Sequence, residues 1–188
     1  MSEGETSLYL ALIHHPVMNK NQEIIGSAVT NLDIHDIARM ACTYGVARYF
    51  ISTPWADQHT MVEELLDHWR HGHGAKYNPA RKEALSRVRL VWNLDEIVEQ
   101  LEKEFGRKPL IITTSATERE NTLPWQELRE RIGDKEPVLI LLGTAHGLAP
   151  EILQRADYSL PPIQGGTQYN HLSVRSAASI VVDRLLGS

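Results

Sequence analysis

Between Val138 and Leu142 the chain reads Val-Leu-Ile-Leu-Leu, with no polar side chain in the run. A strand with one face in water alternates apolar and polar residues, so an unbroken apolar run fits a strand covered on both faces. Leu8–His14, Arg48–Thr53, Arg89–Trp92 and Leu110–Thr113 are further strand segments. Tyr158–Ile163 is a weaker one, because Pro161 and Pro162 cannot donate to a ladder. Amphipathic stretches lie between these segments. Asp33–Tyr44 places Ile34, Ile37, Ala38 and Ala41 on one helical face, and Asp33 fits the N-cap. Asp57–Trp69 carries Met61, Leu65 and Trp69 on one stripe. Asp95–Phe105, Trp125–Ile132, Glu151–Ala156 and Ser173–Leu186 complete the helices, and a polar, Gly-containing stretch from His71 to Pro79 reads as a connection. Strand–helix alternation of this kind predicts parallel βαβ units. The expected fold is α/β, a parallel sheet with helices on both faces. With no repeat, linker or low-complexity segment, residues 1–188 read as one domain.

Composition removes several function classes. Cys42 is the only cysteine, so an intramolecular disulfide and a thiolate-rich zinc site are both excluded. Residues 1–7 are polar and acidic, and Leu8–Ile13 is too short for the apolar core of a leader peptide. No apolar run approaches membrane-spanning length, so a cytoplasmic location is expected. The formal charge of −5 argues against a nucleic-acid binder unless positive charge is concentrated locally. It is concentrated: Arg70, Lys76, Arg81, Lys82, Arg87 and Arg89 stand against Glu83, with Trp69 and Tyr77 interleaved. Such a stretch suits phosphate contacts and base stacking, and equally a solvated basic face. His68, His71 and His73 have ligand-like spacing, but Gly72 and Gly74 loosen it and no carboxylate cluster completes it. No metal is expected.

Ligands of open parallel sheets bind beyond the carboxyl ends of the strands. Three loops there have unusual chemistry. Gly143-Thr144-Ala145-His146-Gly147-Leu148 follows the buried apolar run, and its glycines allow close backbone approach. It lacks the lysine of a triphosphate cradle. Gly165-Gly166-Thr167-Gln168-Tyr169-Asn170-His171-Leu172-Ser173 joins the last strand to the last helix, which Ser173 or Asn170 can cap. Thr113-Thr114-Ser115-Ala116 closes a third strand with small hydroxyl residues. On the helix after Asp33, His35, Asp36 and Arg39 are neighbours at helical spacing. The ordinary reading is an exposed Asp36–Arg39 ion pair; the functional one is a positioned guanidinium with a carboxylate and an imidazole nearby.

Three stretches then carry a family resemblance. Asn170–Leu186 (NHLSVRSAASIVVDRLL) resembles the last motif of the SPOUT methyltransferases, and Leu141–Leu153 (LLGTAHGLAPEIL) resembles the glycine-containing motif before it. Asn31–Ile51 resembles the first motif of the SpoU branch, whose arginine falls on Arg39. With HHPV near the start and KYNPAR at 76–81, the whole is similar to a small bacterial group of SAM-dependent RNA methyltransferases with undefined targets. The resemblance implies a C-terminal trefoil knot, a homodimer packed through the last helix, and an RNA substrate. It implies S-adenosylmethionine held by Thr114, Ser115 and Ala116, by Gly143, Thr144, Ala145, His146, Gly147 and Leu148, and by Ile163, Gly165, Tyr169, Asn170, His171, Leu172 and Val174. Arg39 and Asp36, or Asp33 in place of Asp36, would serve catalysis. Asp33 and His35 stand where the SpoU branch usually has Asn and Gly, a departure at the catalytic end. The alternatives are a non-catalytic RNA-binding or SAM-sensing module, and a small hydrolase, for which no Gly-x-Ser-x-Gly elbow is present.

Overall fold

The computed structural model describes residues 6–188; of the polar N-terminal segment, residues 1–5 lie outside the described part. The elements run β1 (Leu8–Ile13), a hairpin β2 (Val17–Met18) and β3 (Ile24–Ile25), α1 (Asn31–Thr43), β4 (Arg48–Ser52), α2 (Ala56–Arg70), α3 (His73–Tyr77), α4 (Pro79–Ser86) and β5 (Val88–Val91). They continue with α5 (Leu94–Phe105), β6 (Leu110–Thr113), α6 (Trp125–Gly133), β7 (Val138–Gly143), α7 (Pro150–Leu153), β8 (Tyr158–Ser159) and α8 (Val174–Leu186). The six-stranded sheet has the order β5-β4-β1-β7-β6-β8, and every pairing in it is parallel.

β1 and β7 lie at the centre and are buried on both faces, as their uninterrupted apolar sequences require. Side chains of β1 alternate between two cores. Leu8, Leu10 and Leu12 join the core under α1, α2, α4, α6 and α8, whereas Tyr9, Ala11 and Ile13 join the one under α5 and α7. From β1 the chain winds outward to β4 and β5 on one side, and β7, β6 and β8 fill the other. The order therefore reverses between β1 and β7, which is where such sheets open a crevice at their carboxyl edge.

Several local expectations need correction. Thr30, not Asp33, caps α1: its hydroxyl accepts from the Asp33 amide. Asp33 sits inside the first turn, buried, and accepts a hydrogen bond from the Thr30 hydroxyl at 2.6 Å. The buried stripe of α2 is His59, Val62 and Leu66, and Met61 is exposed. The stretch from His71 to Pro79 is not a plain connection, since α3 lies within it and α4 starts at its end. α4 has Pro79 at its first position and Asn78 as its cap, a combination that marks a helix start. β8 stops at Ser159, before the two prolines.

Candidate functional site at the carboxyl edge of the sheet

β7 ends at Gly143 and the chain folds straight back on itself. A Cβ on Gly143 would stand 2.8 Å from the Leu148 amide nitrogen and 3.0 Å from the Gly147 carbonyl carbon. The turn is completed by Ala145 (φ 51°) and Gly147 (φ 106°), and the Gly147 amide donates to the Thr144 carbonyl at 2.9 Å. This loop is clamped from outside by the segment after β1. The Met18 amide donates to the Gly147 carbonyl (2.9 Å), the His146 amide to the Met18 carbonyl (3.0 Å), and the Ala149 amide to the Pro16 carbonyl (3.2 Å). The HHPV motif thus supplies a short antiparallel partner for the loop.

A side-chain chain adds a second tie. The Thr144 hydroxyl donates to the Ile13 carbonyl at 3.2 Å and lies 2.5 Å from the Ser27 hydroxyl, which lies 3.0 Å from His14 Nδ1. With its proton on the Ile13 carbonyl, Thr144 accepts from Ser27, and Ser27 accepts from His14. The imidazole is therefore the Nδ1–H tautomer, with its lone pair on Nε2. His14 is fully buried, and among the described residues Nε2 has no hydrogen-bond partner. Burial lowers its pKa to about 4, against the opposing pull of Asp33 and the Ser27 hydrogen bond. The unfolded chain takes up the proton at about 6.5 and the folded one only near 4. This contribution to stability is complete above pH 6.5 and is lost as pH falls toward 4, roughly 3 kcal/mol in all. Urea unfolding at pH 7 and pH 5 should show the larger part of that loss, about 2 kcal/mol, in the parent and a clearly smaller one in His14→Asn, which keeps a donor to Ser27. An equal loss in both would remove His14 as its source.

The β6 loop lies beside this one, and the segment before α8 is tied to the β6 loop. The Thr114 amide and hydroxyl both donate to the Leu141 carbonyl, at 3.2 and 3.1 Å, which sets the β6 loop beside Gly143. Asn170 Nδ2 donates to the Ala116 carbonyl at 2.8 Å, joining the β6 loop to the segment before α8. Ser115 turns inward on its own loop, taking the Thr117 amide at 3.1 Å. Gly165, Tyr169, His171 and Leu172 are exposed, Ile163 and Val174 half-buried, and Ser173 caps α8 by accepting from the Ser176 amide. Open space lies over Gly147, Gly165 and Gly166. Residues 114–116, 143–148 and 163–174 contain no Lys, Arg, Asp or Glu. A triphosphate is commonly held with a lysine as well as backbone amides, whereas a sulfonium would be repelled by cations there. Uncharged loops with open backbone fit an adenosine bearing a sulfonium.

The candidate catalytic residues are arranged differently from the sequence expectation. Asp36 does not pair with Arg39. It accepts from Arg175 of α8 at 3.1 Å, and the same guanidinium approaches Asp33 at 3.4 Å. Arg175 gave no sequence signal of its own, because only the packing of α8 on α1 brings it there. Arg39 is exposed, with no carboxylate partner among the described residues. Half of the basic stretch is structural. Arg70 donates to the Leu85 and Val88 carbonyls, Arg87 to Val46, and Arg89 to Ser86 and Val88. His71 pairs with Asp67 at 2.9 Å, and no cluster of three metal-type ligands forms among the described residues.

Known proteins agree with this geometry. A family model described as "SAM-dependent RNA methyltransferase" matches residues 7–187. A protein of Oleidesulfovibrio alaskensis named tRNA (guanine-N(1)-)-methyltransferase is 47% identical over 181 residues, covering 96% of this chain and 42% of that one. The chain thus spans less than half the length of that relative. An uncharacterized protein of Aquifex aeolicus is 41% identical over 180 residues, covering 95% of this chain and 88% of the other. In fold, the chain is similar to the SpoU methyltransferase AviRb from Streptomyces viridochromogenes, solved with the cofactor AdoMet. The TM-score is 0.60 at 14% identity, with 99% of this chain and 58% of that one covered. An α/β sheet open at its carboxyl edge, uncharged glycine-containing loops at that edge, and a match from residue 7 to residue 187 together place the chain in the SAM-dependent RNA methyltransferase family.

Proposed function

We propose that the protein transfers the methyl group of S-adenosylmethionine to a nucleotide of RNA, acting as a cytoplasmic homodimer of one-domain subunits. The observation that carries the reading is the set of three uncharged loops, joined by the Asn170–Ala116 hydrogen bond and by the Thr114 hydrogen bonds to the Leu141 carbonyl just before Gly143. When bound, the cofactor supplies a methyl group on a cationic sulfur. The chain's own task is orientation: to hold the acceptor in line with that methyl and to receive its proton. Arg39, unpaired with any described carboxylate, holds the RNA. Asp36 engages Arg175 through Oδ2, and its other oxygen takes the proton that the acceptor O–H or N–H sheds as the bond to the methyl carbon forms.

The dimer reading rests on α8. Val182 is buried within the subunit, but Ile180 and Leu186 stay half-buried. Leu32 and Leu172 are exposed at the starts of α1 and α8, where Arg175 joins the two helices. The apolar surface there suits a second copy, and in the SPOUT manner the segment from β7 to α8 would form a trefoil knot. Among the described residues, no helix is long and apolar enough to cross a membrane.

Calorimetry with S-adenosylmethionine, ATP and NAD, followed by transfer of labelled methyl to bulk tRNA and rRNA, tests the proposal. Binding of the first ligand alone, with transfer to RNA, is expected. Binding without transfer to any RNA would favour a sensing module, and NAD binding in its place would overturn the reading. Because the guanine-N1 name belongs to a longer chain, nucleoside analysis of the product decides between ring nitrogen and ribose. A stable monomer in sedimentation would remove the dimer.

A further inference from the structure

Trp69, on α2, is enclosed by three other elements. Gly74 of α3 lies against its face, where a Cβ would come within 2.6 Å of Cε3. The Arg81 guanidinium of α4 sits over the ring at 4.7 Å, and His35 of α1 meets it edge-on at 5.6 Å. Arg81 Nε and His35 Nδ1 are both shielded from water and, among the described residues, without a hydrogen-bond partner. Shielded polar atoms are normally satisfied, and a shielded cation is normally paired. Arg81 has no carboxylate partner among the described residues; its companion is an aromatic face, which orients the guanidinium without neutralising it. Lys76 and Lys82 beside it, and Arg39 on α1, likewise have no carboxylate partner among the described residues. The carboxylate nearest in sequence to His35, Asp36, is already engaged by Arg175. Burial, then the charges of Arg81 and Arg39, lower the pKa of His35 against the pull of Asp36, as expected where cations outnumber anions. Tyr77, at the end of α3, is 80% exposed.

A merely solvated basic face would keep its charges on mobile, fully hydrated side chains. Arg81 is instead half-buried and held in place, with hydrogen-bonding capacity unused. A phosphodiester supplies what is missing, an anionic acceptor matched to a guanidinium fork. Aromatic faces next to such cations accept unstacked bases.

We propose that Arg81, seated on Trp69 beside His35 and Arg39, is a phosphate anchor for a single-stranded RNA segment, with Tyr77 as a base-stacking platform. The anchor extends the substrate surface from the motif containing Arg39 across α4 to α3, and it rests on the RNA reading above. It also gives a chain of net charge −5 a local set of cations for a polyanion: Arg39, Lys76, Arg81 and Lys82, none with a carboxylate partner among the described residues.

Anisotropy with fluorescein-labelled oligouridylate, over a range of salt concentrations, tests it on the full chain. Arg81→Ala should weaken binding about tenfold and flatten the slope of log affinity against log salt by about 0.7, the value for one phosphate contact on a single strand. Arg81→Lys should restore the slope but only part of the affinity, because a lysine keeps the charge and loses the flat stack. Tyr77→Ala, at an exposed position, should weaken binding about fivefold with the slope unchanged. Calorimetric affinity for S-adenosylmethionine should not change in any of the three. Parental affinity and slope in Arg81→Ala would overturn the anchor while leaving the methyltransferase reading intact. If Arg81→Ala does not fold, a parental slope and affinity in both Arg81→Lys and Tyr77→Ala overturns it equally. A parent protein that binds S-adenosylmethionine but neither oligouridylate nor tRNA would overturn the RNA reading itself.

Discussion

Gly143→Ala is expected to lose binding of S-adenosylmethionine by about 10- to 100-fold while remaining folded. The added Cβ meets the Leu148 nitrogen at 2.8 Å, the Gly147 carbonyl carbon at 3.0 Å and the Leu148 Cγ at 3.0 Å. Two of these are backbone atoms of the returning limb of the loop, and they cannot retreat cheaply. Gly147 and His146 are bonded to Met18, and Ala149 to Pro16, so moving the limb outward breaks the clamp. Overpacking of this kind costs about 1–3 kcal/mol. If the strain falls on the loop geometry that accepts the ligand, it converts to the stated range at tenfold per 1.4 kcal/mol. Gly133→Ala is the reference: nothing lies within 4 Å of a Cβ there, and the position is at the end of α6, before β7 begins, whereas Gly143 is at the other end of β7. Calorimetry and thermal melts on both variants decide the matter. Parental affinity in Gly143→Ala would mean that this loop does not carry the cofactor.

The same loop shows which parts of the molecule can be read from sequence. The apolar run of β7 and the glycines that end it depend on burial and close approach at adjacent residues, so both are visible locally. Alternation of strands and helices is equally local, and it gave the parallel α/β class. The stripe on α2 was misplaced because His59 counts as polar. Its ring stacks on Trp92 at 3.6 Å and bonds the Thr53 carbonyl at 2.8 Å, which makes it a core residue. α3 and α4 carry no clear sequence signal because the glycines and Pro79 look like breaks, although Asn78–Pro79 is a helix start and Gly74 is small because Trp69 needs the space. The ties that shape the site are of another kind. Thr144 meets Ser27 across 117 positions, and Arg175 meets Asp36 across 139. No periodicity spans such separations. The three loops and Arg39 stand out in the sequence by residue type and position, whereas the partner of Asp36 depends on the packing of α8 on α1.

Arg39→Ala should leave the melting temperature and S-adenosylmethionine affinity at parental values and lower methyl transfer to a verified RNA by about 10²- to 10³-fold, the usual effect of removing one preorganised charged donor. The structural part of the expectation follows from exposure and the lack of an ion pair among the described residues. An exposed helical arginine without such a contact contributes little to folding, and alanine is at least as good a helix former. Asp36 does not depend on Arg39, because Arg175 already holds it. Asn170→Ala provides the opposite pattern. It removes the donor to the Ala116 carbonyl, so the β6 loop and the segment before α8 separate, and S-adenosylmethionine affinity is expected to fall, with transfer falling as a consequence. Arg175→Ala gives a third pattern. It leaves Asp33, largely buried, without its cation, and should reduce stability as well as activity. Loss of transfer in Arg39→Ala with intact stability and cofactor affinity assigns Arg39 to the RNA. Near-parental transfer would show that the acceptor is held elsewhere, and the proposed anchor at Arg81 would then be the first place to look for the missing cation.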